Sequence, residues 1–387
     1  MSLLAAVGQA RALDGRETGL QAAHQALNQL GSVPPFLGFV IASHQYEAQQ
    51  VVNGVASLTG NLPLFGFSTP ASLTGEGIHP HSVVVALLGA TEARAEVQWL
   101  SGYTQGSRDV TQQFASLFSM NRKQPGLVFA DGFNADAEQL CASVQPGTNL
   151  VGALSSGDLY SGFAYQIGGA QFGSGGLAIA RLEGQVQVGV GYGHGWQPVG
   201  TRFRVTRSRG FWVRTLDGRP ASESYANLFG YPVREWAFPP LNQLIRMYPI
   251  GIQRPDADLL VRSPLRVEAD GSLRMNAIIP DGSDGYLLVG SLTSCRQAAQ
   301  KAVQDALAGL KGARPVFALV LVDIAWQMLF EAQPGADVVA VREALGGEVP
   351  IAGGYTLGQI VPDGNGLPQF LNQHMVVVVF GAPAEKA

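Results

Sequence analysis

A histidine lies between glycines in the segment GYGHGW (191–196), and a tryptophan follows it. The imidazole of His194 changes its charge near neutral pH, and it can bind a metal, accept a proton in catalysis or form ordinary hydrogen bonds. The residue is therefore a candidate for a metal or haem ligand, for a catalytic base, or for a polar residue at a turn. Which of these roles applies depends on the elements that surround it.

The residues that nucleophilic catalysis needs are poorly represented in the chain. There is no G-x-S-x-G segment, and Cys141 and Cys295 fall in predicted helices among apolar neighbours, which favours core packing. His79 and His81 flank Pro80 in a predicted exposed turn, without the paired carboxylates of a metal site. A non-enzymatic protein is favoured. A hydrolase-like or transferase-like enzyme that uses the cleft between repeated units is the alternative.

The composition predicts a folded protein with large buried sheets. The chain has 387 residues, enough for two domains, of which 46% are hydrophobic and 14% are charged. Its longest apolar runs are strand-sized, and none approaches the roughly 20 residues of a membrane-spanning helix. The N-terminus has neither a basic start nor a cleavage site, so a cytoplasmic location is expected. The net charge of −4 argues against nucleic-acid binding.

One basic cluster occurs in the run TRFRVTRSRGFWVR (201–214). Its arginines alternate with other residues, and a period of two is typical of one face of a strand. The pattern favours the solvent face of a strand pair over phosphate binding.

A repeated order of elements organises the chain. Short apolar runs alternate with segments of helical spacing, which predicts three β-α-β-α-β-β units over about 1–90, 95–184 and 284–382. The third unit is expected to begin with the strand YLLVGSL (286–292). Strands separated by helices imply crossover connections, so we expect an α/β fold with largely parallel central strands. The stretch 186–283 is predicted to be a β-rich middle segment.

Polar residues follow the predicted parallel strands. Open α/β sheets bind ligands at the carboxyl ends of their strands, and small hydroxyl residues beside glycine allow a close approach of the backbone to a ligand. The alternative is that these residues only turn the chain. The candidate ligand-binding residues are Ser43, His44, Ser68, Thr69, Asp131, Ser155, Ser156, Asp158, Asp323, Tyr355, Thr356 and Gln359.

Four segments resemble the FIST family of sensory domains. They are LVGALSSGD (150–158), the stretch from GHGWQPVG to SYANLFG (193–230), MYPIGI with LLVRSP (247–264), and VPIAGGYTLGQIVPDG (349–364). The run from GWQPVG to LDGRPA is the most specific of them. The resemblance implies an N-terminal sensory domain over 1–225, made of two repeat units and a β-rich extension, and a C-terminal domain over 226–387.

The resemblance also implies an intracellular module that binds a small ligand and signals through a partner. Because the repeats account for both ends of the chain, we expect a stand-alone sensor. This architecture is similar to the branch of the family that binds haem, senses nitric oxide and regulates a partner histidine kinase or a cyclic-di-GMP enzyme. The alternative is a small organic ligand, such as an amino acid, that binds without haem.

Haem binding requires an axial donor and an apolar slot, and six histidines compete for that role. His24 falls in a predicted amphipathic helix and His374 at the start of a strand, which are positions typical of structural residues. His44 follows a strand beside Tyr46, and His194 lies in the most specific family segment. These two residues, His44 and His194, are therefore the alternative haem axial ligands.

The chain departs from the family pattern at two places. Gln359 stands where the C-terminal motif commonly carries a glutamate. Asp323 and Trp326 stand where a Ser-Cys pair with a nearby arginine is usual. Both departures weaken the case for a ligand recognised through that glutamate or arginine.

Overall fold

The computed structural model describes residues 3–106, 108–119, 125–134, 136–254 and 257–383. Within these ranges the chain is a mixed α/β protein, with three six-stranded sheets and one eight-stranded sheet. No helix in the described part of the chain has the length and apolar character needed to cross a membrane.

The first 90 residues form most of the first sheet. In chain order the elements are β1 (Leu4–Ala10), α1 (Gly15–Leu30), β2 (Pro35–Ser43), α2 (Ala48–Thr59), β3 (Leu64–Thr69), β4 (Ala71–Thr74), β5 (Gly77–Pro80) and β6 (Val83–Gly89). The Asp14 side chain accepts a hydrogen bond from the Glu17 N–H and so caps the start of α1. The four main strands lie in the order β1-β6-β2-β3.

The second sheet is built mainly from residues 94–183. In chain order the elements of this stretch are β7 (Arg94–Leu100), a 3₁₀ turn (Tyr103–Gln105), α3 (Arg108–Ser119), β8 (Gly126–Ala130), α4 (Ala137–Ser143), β9 (Leu150–Leu154), β10 (Gln166–Gly168), β11 (Gln171–Gly173) and β12 (Leu177–Glu183). Of these, β10 and β11 join the first sheet rather than the second. The main strands of the second sheet lie in the order β7-β12-β8-β9, which corresponds strand for strand to the first sheet.

The middle of the chain is rich in β-strands. In chain order its elements are β13 (Gln187–Gly193), β14 (Trp196–Arg209), β15 (Trp212–Leu216), β16 (Arg219–Pro220), α5 (Ala221–Phe229), a 3₁₀ turn (Val233–Ala237), α6 (Leu241–Leu244), a 3₁₀ turn (Ile245–Met247), β17 (Ile250–Arg254), β18 (Ala257–Arg262), β19 (Pro264–Val267), β20 (Leu273–Met275) and β21 (Asp284–Gly290). The eight-stranded sheet has the order β18-β17-β21-β14-β15-β20-β19, with β16 paired to β15.

The remaining elements complete the third sheet and supply a hairpin that extends the second sheet. They are α7 (Leu292–Gly309), β22 (Arg314–Asp323), α8 (Ile324–Leu329), α9 (Ala336–Ala344), β23 (Ile351–Thr356), β24 (Gln359–Pro362), β25 (Pro368–Leu371) and β26 (Met375–Ala382). The main strands of the third sheet lie in the order β13-β26-β22-β23.

The edge strand of the third sheet corrects one prediction. The segment expected to start the third unit forms β21, which pairs with β14 and β17 in the eight-stranded sheet. The edge position is held instead by β13, which pairs with β26 and lies about 100 residues earlier in the chain than the expected strand. The β-rich segment is therefore inserted between the first strand and the first helix of the third set of elements.

Alternating glycines explain why β13 packs on α7. A Cβ atom at Gly189 or Gly191 would lie 1.9 Å from the carbonyl oxygen of Ala306 or Ala302, respectively. Two strand residues advance by about 6.6 Å and four helix residues by about 6.0 Å, so successive glycines meet successive turns of the helix. The strand and the helix backbone touch directly as a result.

The prediction of largely parallel central strands is wrong. Each six-stranded sheet has one parallel pair among the described residues, namely β2–β3, β8–β9 and β22–β23. The last strand of each set returns between the first two and is antiparallel to both, as β6 is to β1 and β2. The sheets are therefore mixed.

Each six-stranded sheet is completed by a hairpin from another set of elements. The β10–β11 hairpin pairs with β3, the β24–β25 hairpin pairs with β9, and the β4–β5 hairpin pairs with β23. The inner faces also share one apolar cluster. In it the ring centroids of Phe39 of the first sheet and Phe317 of the third are 5.6 Å apart, and those of Phe65 of the first sheet and Phe129 of the second are 4.3 Å apart. The three sheets thus form one interlocked core.

Replacing Gly191 by alanine tests the contact between β13 and α7. The added methyl group overlaps the Ala302 carbonyl, so we expect Gly191→Ala to lower the free energy of unfolding by about 1–3 kcal/mol in urea denaturation. Gly364→Ala is the matched control, because its Cβ meets nothing within 4 Å. Equal stability of the two variants would contradict the close packing.

Candidate functional site

The predicted strand-end residues occupy corresponding positions in the three sheets. The register of each parallel pair places one polar residue of the first strand opposite a hydroxyl residue of the second, and all of them are 3% exposed or less. The pairs are Ser43 with Thr69, Asp131 with Ser155 (one residue beyond the paired Ala130 and Leu154), and Asp323 with Thr356. The structure therefore brings the predicted groups to the same edge of each sheet.

The hydroxyl groups of Ser68 and Thr69, the last two residues of β3, join neighbouring sheets. Ser68 Oγ donates to the Ser156 carbonyl oxygen (2.8 Å) and accepts from the Tyr165 N–H (2.8 Å). Thr69 Oγ1 accepts from the Tyr355 N–H (2.9 Å). Both side chains are fully buried, where a hydroxyl without a partner would be costly. They hold the first sheet to the second and the third.

Glutamines from the exchanged hairpins bind two further hydroxyl groups, those of Ser155 and Thr356. Gln166 Nε2 donates to Ser155 Oγ (2.6 Å), and Gln359 Nε2 donates to Thr356 Oγ1 (2.9 Å). Gln359 Oε1 also accepts from the His374 N–H (3.2 Å). A glutamine at position 359 therefore completes a buried hydrogen-bond chain, which a carboxylate would not complete because it has no amide donor.

The two buried carboxylates at the strand ends bind backbone amides. Asp131 accepts from its own loop through Oδ1 and from the Gly175 N–H (3.2 Å) through Oδ2. Asp323 accepts from the Ala325 N–H (3.1 Å) and the Gln373 N–H (2.9 Å). Burial raises the pKa of Asp323 to about 6, against the opposing effect of these hydrogen bonds. Both carboxylates order the chain around them.

The remaining predicted residues also contact protein groups. The Tyr355 hydroxyl donates to Asp337 Oδ2 (3.0 Å), and both residues are buried. His44 is half-buried, with Nδ1 3.4 Å from the Thr69 carbonyl oxygen. Hydrogen bonds from the neighbouring loop lower the pKa of Asp158, and His44 adds to that effect.

Together these residues form a polar seam between the sheets. Of the twelve, Ser156 keeps a buried hydroxyl without a hydrogen-bond partner among the described residues. The described residues contain no group of three His, Cys, Asp or Glu side chains that could hold a metal ion. None of the twelve lines the cavity that contains His194.

That cavity has a volume of about 770 Å³ and lies at the end of β13. Its walls come from β13 of the third sheet and the helix α7 that packs on it, from β17 and β18 of the eight-stranded sheet, and from β25, which extends the second sheet. A volume in this range is usual for small-molecule sites. The lining residues are Tyr192, Gly193, His194, Arg254, Leu259, Ala298, Lys301, Gln369, Leu371 and His374.

The charged groups that line the cavity are cationic. Arg254 and Lys301 contribute to the walls, and no carboxylate does so among the described lining residues. Lys301 is held by an ion pair with Asp305 on the next turn of α7 (2.9 Å). Leu259 and Leu371 supply an apolar surface beside these cations. The arrangement suits a small organic anion with an apolar part.

His374, which lines this cavity, has an acceptor nitrogen. Its Nδ1 lies 2.6 Å from the Asn372 carbonyl oxygen, which can only accept, so Nδ1 carries the hydrogen and Nε2 keeps its lone pair. Burial, with a smaller contribution from His194, lowers the pKa of His374 to about 3. The ring is therefore neutral at physiological pH, with Nε2 as an acceptor.

His194 has the opposite tautomer. Its Nδ1 accepts the Trp196 N–H (3.2 Å), so in the neutral ring the hydrogen is on Nε2. The two rings meet edge to face, with centroids 4.8 Å apart for His194 and His374. In GYGHGW the histidine thus forms a hydrogen-bonded turn and also lines a cavity.

Buried tryptophans position the chain before His374. The indole N–H groups of Trp196 and Trp326 both donate to the Gln373 carbonyl oxygen (2.9 and 3.0 Å). Gln373 has a φ of 61°, a strained conformation for a residue with a side chain, and its N–H is held by Asp323. These contacts fix the turn from which the His374 side chain enters the cavity wall.

Sequence reasoning missed most of this cavity. The sequence places His374 at the start of a strand, a position typical of structural residues, and its patterns do not single out Arg254 or Lys301. They lie on three segments that are far apart in the chain, so no spacing connects them. The sequence signal for this cavity is the GYGHGW segment, in which the candidate residue His194 and the nearby Tyr192 both line the cavity.

Two family models match the chain. The FIST N domain matches residues 37–219, and the FIST C domain matches residues 221–362. The chain belongs to the FIST family. FIST domains are in general sensory domains that bind small ligands. Two relatives of this FIST protein, from Mycobacterium bovis and Mycobacterium tuberculosis, are each 23% identical, cover 92% of the chain and 93% of their own length, and are described as uncharacterized proteins.

Two solved structures show a distant likeness to this FIST protein. A cyanuric acid hydrolase from A. caulinodans is 10% identical with a TM-score of 0.25, over 46% of this chain and 71% of its own. PurL from T. maritima, complexed with FGAR, is 12% identical with a TM-score of 0.26, over 98% of this chain and 72% of its own. Similarities this low carry no functional argument.

The neutral state of His374 predicts acid sensitivity of the FIST protein. Unfolded histidine gains a proton below pH 6.5, whereas folded His374 stays neutral down to about pH 3. The stability that this residue contributes is therefore present above pH 6.5 and is lost as the pH falls, by about 2 kcal/mol at pH 5. Asp323 has the opposite effect, because burial raises its pKa to about 6 and the folded state therefore binds its proton more tightly than the unfolded state does. Its contribution to the free energy of unfolding increases as the pH falls below about 6.

Urea denaturation at pH 7.5 and pH 5 of wild type and His374→Gln isolates the histidine contribution. The variant should lose about 2 kcal/mol less between the two pH values than wild type does. His24→Gln, at an exposed position on α1, is the control and should retain the wild-type difference. An unchanged difference in His374→Gln would show that His374 is not buried in its neutral form.

Proposed function

We propose that this FIST protein is a non-enzymatic sensor that binds a small organic anion in the cavity lined by His194 and His374. The observation that carries the proposal is the pairing of two cations, Arg254 and Lys301, with the acceptor nitrogen of His374 in one cavity. Such walls complement a ligand that has both an anionic group and an N–H or O–H donor. A free amino acid has both, with its carboxylate for the cations and its ammonium group for His374.

The position of the cavity supports a sensory role. Its walls belong to three different sheets, so a ligand there contacts all three at once. A ligand that binds one arrangement of packed bodies better than another shifts the population toward that arrangement. We propose that this shift is read by a signalling partner, such as a histidine kinase or a cyclic-di-GMP enzyme. The sensory character of FIST domains supports that proposal.

A thermal-shift panel of amino acids and other small carboxylates tests the ligand class. The ligand that stabilises the protein most is then titrated by calorimetry into wild type, Arg254→Gln and Lys301→Gln. Because a hydrogen bond to a charged group contributes about 1.5–3 kcal/mol, each variant should raise the Kd by about tenfold or more.

Lys311→Gln is the matched control, since Lys311 is an exposed lysine that does not line the cavity. Its Kd should equal that of wild type. A panel without any stabilising carboxylate, or cavity variants that bind like wild type, would overturn the anion proposal.

Haem is the second candidate ligand, and one observation favours it. His374 lines the cavity and keeps its Nε2 lone pair while a backbone carbonyl holds Nδ1–H, which is the arrangement that metal-bound histidines use. His194 does not fit as an axial ligand, because its Nδ1 accepts an N–H. His44 does not line the cavity. Bound haem would supply an iron that binds a gas such as nitric oxide, and Arg254 and Lys301 would hold its propionates.

The absorption spectrum of haem-reconstituted protein tests this candidate. A haem-loaded cavity should give a Soret band that shifts on addition of nitric oxide and is absent in His374→Ala. His44→Gln and His194→Gln should retain the band, and they serve as folded controls. The absence of a band in wild type would end the haem hypothesis, and its loss only in His44→Gln would move the ligand to that residue.

A further inference from the structure

A second cavity, outside the site described above, lies on the eight-stranded sheet. It has a volume of about 730 Å³ and is lined by Arg209, Gly210, Trp212, Arg214, Glu268, Ala269, Asp270 and Ser272. It uses the arginine-rich run that the sequence pattern assigned to a solvent face. We call this surface the Trp212 face.

The strand register places an unusual row of side chains beside this cavity. Arg209 is opposite Trp212, Trp212 is opposite Arg274, and Arg274 is opposite Arg266 across β14, β15, β20 and β19. Like charges at directly opposed positions of a sheet destabilise it. Burial and the nearby Arg266 lower the pKa of Arg274. Glu268 offsets part of this charge, since it pairs with Arg266 (3.1 Å) and opposes the lowering of the Arg274 pKa. Arg209 and Arg214 are exposed and line the cavity, so they can bind an anionic group of a ligand.

Trp212 is held as a platform in this row. The guanidinium of Arg274 lies 4.4 Å from the Phe211 ring centroid and 4.5 Å from the Trp212 centroid. The indole N–H of Trp212 donates to Glu268 Oε1 (3.3 Å). The side chain remains 38% exposed and lines the cavity, whereas Arg274 does not. Arg274 therefore supports the ring and leaves part of it open to the cavity.

The polar groups around the platform divide by charge. Arg209 and Arg214 are exposed cations on β14 and β15. Glu268 accepts from Trp212 and Arg266 through Oε1, and Asp270 accepts from Ser272 through Oδ1, so Oε2 and Oδ2 can accept from a ligand. A ligand that satisfies all of them has an aromatic ring, an anionic group and an amino donor.

We propose that the Trp212 face binds a mononucleotide. The base packs on the exposed part of Trp212, a stacking contact that any base can make because every base has a π-face. Arg209 and Arg214 bind the phosphate, and the carboxylates of Glu268 and Asp270 accept from the exocyclic amino group of the base. This site is separate from the cavity of His374 and does not depend on the sensory function proposed above.

Isothermal titration calorimetry with AMP, GMP, adenosine and inorganic phosphate tests the site on the full-length protein. At least one nucleotide should bind about tenfold or more tightly than both adenosine and phosphate, because only a nucleotide engages the ring and the arginines together. Trp212→Leu should reduce nucleotide affinity to that of phosphate, while Trp212→Phe should keep most of it. Arg214→Gln should raise the Kd for nucleotide and phosphate about tenfold.

Arg207→Gln is the matched control, since Arg207 is an exposed arginine on β14 that does not line the cavity. It should bind nucleotides like wild type. The proposal is overturned if phosphate binds as tightly as the nucleotides, if neither nucleotide binds, or if Arg207→Gln weakens binding as much as Arg214→Gln.

Discussion

The exchange of hairpins between the sheets is the constraint on which the rest of the molecule depends. Each six-stranded sheet takes its last two strands from another part of the chain, so none of the three is complete alone. The exchange brings the ends of the parallel strands into the interior, where every polar group must find a partner. The buried hydroxyls, glutamines and carboxylates at these ends meet that demand.

This constraint gives a different meaning to the polar residues beside the strands. In an open α/β sheet, Ser155 and Thr356 would face a crevice, but here glutamines from the exchanged hairpins occupy that place. The same arrangement recurs at two of the three sheet junctions. The remaining junction, where the β4–β5 hairpin pairs with β23, has shorter side chains, and the hydroxyl groups of Ser72 and Ser82 form a hydrogen bond there (2.6 Å).

The inserted β-rich segment creates the cavity. It leaves the third sheet after β13 and returns at α7, and its strands β17 and β18 form one wall beside both elements. The histidine of GYGHGW stands at the point of departure. Trp196, two residues later, is buried and shares the Gln373 carbonyl with Trp326. One segment of sequence thus packs on α7, turns into the insertion and lines the cavity.

The sequence by itself determined the family, the mixed α/β character and the polar residues at the strand ends, because family motifs and hydrophobic periodicity are properties of neighbouring residues. The alternating glycines of β13 were equally visible, but their partner helix lies about 100 residues away. Only the tertiary structure decided that β13, and not β21, completes the third sheet, and that the strand-end residues bind one another.

The structure also decided the role of His374, which the sequence placed at an ordinary strand start. Its acceptor nitrogen depends on the Asn372 carbonyl, on burial and on a cavity whose walls come from distant segments. The physical reason is the same in each case. A protonation state, a tautomer and a cavity are set by groups that meet in space, and hydrophobic periodicity carries no information about such meetings.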